Sequence, residues 1–154
     1  MSALEAAEAP VLIDRAQLQT LVELVLSAAS FREDDAKLVA EVLVEADLRG
    51  VDSHGVTRLC GYLEMIDRGH VRARPEVTVV QESGATCLFD GDKGIGIIAA
   101  REAMDRAIDL SGESGIACVS LRNVSHTGLL GFYTMRAARR GRIGIAMNNG
   151  PCMT

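Results

Sequence analysis

The spacing of the apolar residues changes at Pro75, and this change constrains the fold more than any other feature of the chain. Before it, apolar residues recur at helical spacing three times: Leu18, Leu21, Val22 and Val25; then Ala36, Val39, Ala40 and Leu43; then Val56, Leu59, Leu63 and Ile66. Helices are predicted over 15–29, 33–49 and 56–69. Asp14 and Gln17 resemble a capping box for the first, and Gly50 and Gly69 stop the other two. After Pro75, short β-branched or apolar runs at 77–81 and 86–90 flank Glu82-Ser83-Gly84-Ala85 and predict a hairpin. A helix over 97–110 follows, then a strand over 116–121, a helix over 129–140 and a strand over 143–147. The last three read as a β-α-β unit. The expected class is α/β of the α+β kind, with a loose arm over 1–12, a helical segment over 13–74 and a mixed sheet with helices over 75–154.

Composition narrows the partners. Lys and Arg number 16 against 21 Asp and Glu, and the densest basic group is Arg136, Arg139, Arg140 and Arg142, so nucleic acid is not an expected partner. Aromatic residues make up 3%, which predicts an aliphatic core and no base-stacking surface. Cys60, Cys87, Cys118 and Cys152 form no Cys-x-x-Cys pair, so neither a zinc site nor a disulfide framework is expected, and a reducing, cytoplasmic setting fits. No apolar run approaches the ~18 residues of a membrane span.

Two short sequences carry possible chemistry, Ser53-His54-Gly55 and Ser125-His126-Thr127-Gly128. Each stands at a predicted helix start, where the serine could cap free N–H groups and the positive dipole end would favour a neutral imidazole able to exchange a proton with an alcohol. A capped helix with a surface histidine is the plainer alternative. His54, Arg58 and Tyr62 fall at i, i+4 and i+8, so a base and a cation share a helix face. Arginine grips a carboxylate through two parallel hydrogen bonds, which suits a substrate bearing a carboxylate beside the reacting carbon. The alternative is a solvated Arg58 paired with Asp52 or Glu64. Gly94-Ile95-Gly96-Ile97-Ile98-Ala99 mimics the dinucleotide fingerprint G-x-G-x-x-A, but the next predicted strand ends in Arg122-Asn123 instead of an acid, so a glycine turn opening a packed helix is expected. His70, just past Gly69, has no ligand-spaced partner and reads as a surface residue.

The segments 46–59, 69–75, 90–96 and 123–128, continuing through Gly131, Tyr133, Gly141 and Gly144, resemble in order the malate/L-lactate dehydrogenase type-2 family. That family includes ureidoglycolate, sulfolactate and 2,3-diketo-L-gulonate dehydrogenases and a cyclic-imine reductase. The resemblance implies an NAD- or NADP-dependent oxidoreductase of small 2-hydroxy or 2-oxo acids, usually a homodimer, with a non-Rossmann cofactor sheet. It implies substrate-binding roles for Ser53 and Arg58 and catalytic roles for His54 and His126. His54 is the favoured acid/base because it has the i+4 arginine, and His126 is the orienting group, although some members give the second histidine the proton-transfer role. Ser125, Asn149 and Gly150 fall on the cofactor side, and Asn148-Asn149-Gly150 stands where many members have Thr-Asn-Ser.

Family members are about twice as long. A strand over 143–147 with nothing beyond it would leave an open sheet edge. Either a second chain completes the sheet, as a homo-oligomer or a C-terminal partner, or the C-terminal half lies outside this sequence. The alternative to an enzyme is a non-catalytic interaction module descended from one.

Overall fold

A computed structural model describes residues 12–150, so the expected N-terminal arm falls outside the described residues except for Leu12. Helix α1 (Arg15–Ala28) starts where the Asp14 carboxylate accepts the N–H groups of Ala16 and Gln17 at 2.9 and 3.2 Å. Helix α2 (Glu33–Leu48) places Glu33, Asp34 and Asp35 in its first turn, where the dipole favours negative charge. Val22 and Leu26 of α1 pack on Val39 and Leu43 of α2, and Ile95, Ile97 and Ile98 complete the same core from across the Pro75 boundary.

The third predicted helix begins later than its apolar spacing indicates. Asp52–His54 and Val56–Arg58 are separate 3₁₀ turns, and only Leu59–Asp67 is α-helical (α3). Gly55, in extended conformation between the turns, breaks the run.

Strands β1 (Thr78–Ser83) and β2 (Thr86–Gly94) form the expected antiparallel hairpin. Helix α4 (Gly96–Ser114) then crosses to β3 (Cys118–Val124), which pairs parallel with β2 in a sheet of order β1-β2-β3. The β-α-β unit is therefore β2-α4-β3, one step earlier than expected. Residues 143–147, after α5 (Leu130–Arg139), form no strand among the described residues, and Ile143, Ile145 and Met147 are 95%, 76% and 90% exposed. An apolar run becomes a strand only when a neighbour accepts its hydrogen bonds, and here none does.

The aliphatic expectation for the core also needs correction. Tyr62 and Tyr133 are the largest fully buried side chains. Each is tolerated because its hydroxyl has a partner: His126 Nδ1 at 2.7 Å for Tyr62 and the Thr127 carbonyl at 2.5 Å for Tyr133. No described helix is long and apolar enough to cross a membrane.

Candidate active site

The segment 52–58 is held by three side-chain bonds within it and one from Asp47 of α2. Thr57 Oγ1 donates to the Asp52 carbonyl at 2.8 Å, and Arg58 Nε donates to the Ser53 carbonyl at 2.5 Å. The Asp47 carboxylate accepts the Val56 N–H at 2.9 Å, in the space beside Gly55 that a Cβ would fill. Ser53 Oγ and His54 Nδ1 lie 2.9 Å apart, so this serine holds its neighbouring imidazole instead of capping a helix.

The second motif approaches from the opposite side. Ser125 does not cap α5; its N–H and its hydroxyl both donate to the Gly94 carbonyl at 3.0 Å. Tyr133 ties down the Thr127 carbonyl, and Asn148 Nδ2 reaches Thr127 Oγ1 at 3.2 Å. Gly128 takes φ +68°, a conformation that favours glycine, and its N–H points back at His126 Nδ1 at 3.2 Å. The loop 125–128 is therefore fixed by β2, α5 and α3 together.

These two supports bring His54 and His126 within 5.1 Å, ring centre to ring centre. Both Nδ1 atoms are occupied, His54 by Ser53 and His126 by Tyr62 and Gly128, which leaves both Nε2 atoms available for a ligand. Tyr62 is deeply buried and burial raises its pKa further, so its hydroxyl keeps its proton. Desolvation, the Arg58 guanidinium and His54 together lower the pKa of half-buried His126. Arg58 is half-buried and makes no ion pair among the described residues. Glu64, the alternative partner from sequence, is bonded to Arg68, and Arg58 Nε is bonded to the Ser53 carbonyl. Thus a cation without a partner carboxylate and two imidazoles converge, a constellation suited to an anion with a protonatable oxygen beside its carboxylate.

The other sequence-derived positions fare differently. Asn149 and Gly150 are exposed, with no side-chain or backbone bond among the described residues, and Ser125 turns its hydroxyl to Gly94. His70 is exposed, away from this cluster. The Gly94–Gly96 turn is no open phosphate loop, because a Cβ on Gly96 would stand 2.4 Å from the Ser125 carbonyl oxygen. The part of Tyr62 that spacing did not reveal is its bond to His126, 64 residues away in the chain. The available signal was that a buried tyrosine on the His54 and Arg58 face must find a hydrogen-bond partner. A surface cleft of about 420 Å³ lies elsewhere, among Lys37, Glu41, Arg101 and Arg136. Lys37 and Arg136 are already bonded to Glu33 and Asp105, and the cleft contains neither histidine.

The sequence model of the malate/L-lactate dehydrogenase family matches residues 13–154. The malate dehydrogenase of Pyrococcus abyssi is 40% identical over 137 residues, which cover 89% of this chain and 38% of that protein. The ureidoglycolate dehydrogenase (NAD(+)) of Escherichia coli K12 is 36% identical over 135 residues, 88% of this chain and 39% of its own length. The solved malate dehydrogenase of Pyrococcus horikoshii OT3 superposes with a TM-score of 0.83 at 39% identity, over 85% of this chain and 38% of that one. The chain thus spans less than two fifths of the length of these relatives.

Proposed function

The chain belongs to the malate/L-lactate dehydrogenase family, and on that premise we propose that its histidine pair and Arg58 form the substrate side of a dehydrogenase acting on small 2-hydroxy or 2-oxo acids. The observation that carries this reading is the convergence of His54, His126 and an Arg58 that makes no ion pair among the described residues. Relatives named malate and ureidoglycolate dehydrogenases support the same class.

In this reading the Arg58 guanidinium takes the substrate carboxylate, and its Nε bond to the Ser53 carbonyl sets the plane of the fork. The reacting oxygen lies between the two Nε2 atoms. We assign proton transfer to His126, since Tyr62 can either donate to its Nδ1 or, after a hydroxyl rotation, accept from it. That exchange lets Nε2 carry or release a proton without moving the ring. His54, the favoured acid/base from sequence, is then the group that orients the oxygen, with Ser53 holding its ring.

A nicotinamide cofactor, NAD or NADP, would supply or receive the hydride at the carbon that bears this oxygen. The described residues fit its nicotinamide end in part: Asn148, held by Thr127, sets the unbonded 149–150 backbone beside the His126 loop. Nothing among the described residues cradles a pyrophosphate, since the Gly94–Gly96 turn is covered by residues 125–127.

Arg58→Lys replaces a planar fork with a point charge. It is expected to raise KM for carboxylate substrates by about tenfold to a hundredfold while leaving cofactor affinity unchanged. Initial-rate kinetics and cofactor titration of the protein in its active form check this. Unchanged KM would return Arg58 to the status of a surface residue.

The exposed Ile143, Ile145 and Met147 support association, either of two copies or with a C-terminal partner chain. Burying ~600 Å² of apolar surface there would contribute on the order of 15 kcal/mol before association and ordering costs. Light scattering over a dilution series is expected to give masses above that of one chain, falling on dilution. A single-chain mass at every concentration would refute association.

A further inference from the structure

Among the described residues the charged and titratable side chains that act on His126 are basic, while the Asp47 carboxylate of α2 lies beside Gly55 and accepts the Val56 N–H. From the two 3₁₀ turns it faces His54 and Arg58, and from α3 the neutral Tyr62 hydroxyl. The Gly94–Gly96 turn covers the loop 125–127 with main chain only, and the 148–150 segment brings asparagine. No carboxylate is among the groups that set the charge of this imidazole. A carboxylate arriving at Arg58 therefore adds a negative charge that acts on His126, where the groups acting on it so far are basic, and it does so while offsetting the cation beside the ring.

Resting on the reading of Arg58 as the carboxylate seat, we propose that a 2-oxo acid brings a solvent proton into the site as it binds, and that His126 takes it up. Substrate binding and loading of the acid are thereby one step. In the empty site Nδ1 of His126 accepts from both Tyr62 and Gly128, so the neutral ring carries its proton on Nε2. Uptake places a second proton on Nδ1. The Tyr62 hydroxyl, 2.7 Å away, rotates to accept it, and only the longer 3.2 Å contact with Gly128 is given up. Nε2–H is then the acid that faces the substrate oxygen. When the carbonyl receives a hydride, this proton passes to the resulting oxygen and leaves a neutral ring with its proton on Nδ1. A nicotinamide cofactor would supply the electron pair and solvent the proton, so the balance closes. Before the anion binds, burial, Arg58 and His54 hold the imidazole pKa down and so disfavour loading of the acid.

The sign follows from linkage. Uptake occurs only between the pKa of the free site and the higher pKa of the occupied one, and it vanishes above the second and below the first. Within that window affinity rises up to tenfold for each unit of falling pH.

The test uses oxamate, an unreactive 2-oxo-acid analogue, and the 154-residue chain. Titration calorimetry in buffers of different ionisation enthalpy counts protons. The imidazole carbon-bound proton resonances of His54, His70 and His126 report which ring titrates. The expected result is net uptake of up to one proton and a rise of the His126 pKa on the order of one unit with oxamate bound. His126→Gln should abolish the uptake, while His54→Gln should retain it. Oxamate binding with no proton uptake, or uptake that survives His126→Gln, overturns the proposal and leaves the carboxylate seat intact. No oxamate binding at all overturns both the seat and the proposal.

Discussion

Replacing His126 with glutamine is expected to lower kcat of the active protein by two to four orders of magnitude, the usual loss when a positioned acid/base is removed. Glutamine keeps much of the ring's volume, so Tyr62 can still donate to a side-chain oxygen there. What is lost is the ability to exchange a proton. The loss should appear in kcat far more than in KM, because in the proposed reading Arg58 still seats the carboxylate. His54→Gln, under the same reading, removes one orienting bond and is expected to cost about tenfold to a hundredfold. Rate measurements in both directions separate the assignments. If His54→Gln were the more damaging change, the roles of the two histidines would be exchanged.

The largest structural effect is expected from Gly96→Ala. Gly96 is buried at the start of α4, and a Cβ there would meet the Ser125 carbonyl oxygen at 2.4 Å, Thr127 Cγ2 at 2.8 Å and the His126 carbonyl oxygen at 2.9 Å. Two of these neighbours are backbone, and the loop that carries them is tied to Gly94, Tyr133 and Tyr62. It cannot shift without breaking one of those bonds. A cost of about 3 kcal/mol is expected, at the upper end for overpacking, and in a chain of this size it lowers Tm by roughly 6–12 °C. Denaturant unfolding followed by circular dichroism measures it. Gly61→Ala is the control: a Cβ at Gly61 in α3 has nothing within 4 Å, and alanine there should be neutral or stabilising by up to about 1 kcal/mol. Equal Tm losses for the two variants would mean that the crowding at Gly96 is not what matters. The same substitution also moves His126, so activity should fall along with stability.

Local chemistry determined much of the architecture. The spacing of Leu18 to Ala46 was enough for two helices, because an amphipathic stripe with a cap at Asp14 and a stop at Gly50 has one solution whatever it packs against. The hairpin was legible for the same reason: two β-branched runs and a short glycine-containing connection are local events. His54 and Arg58 could be paired on paper because they are four residues apart. The 3₁₀ turns were not legible, since they depend on the Asp47 carboxylate reaching Val56 from α2 and occupying the space beside Gly55.

What tertiary structure alone decided is everything that requires a partner distant in sequence. The parallel pairing of β3 with β2 moved the β-α-β unit one step back, and the apolar run at 143–147 stayed irregular, because a ladder is a property of two segments. The meeting of His54 with His126 depends on the Tyr62 hydroxyl, on the Ser125 bonds to Gly94 and on the absence of a side chain at Gly96. Each is a contact closed across a loop of tens of residues. Periodicity and propensity act over a few residues and carry no information about which distant groups such a closure will bring together. The residue types of the site were therefore determined locally, and their convergence by the fold.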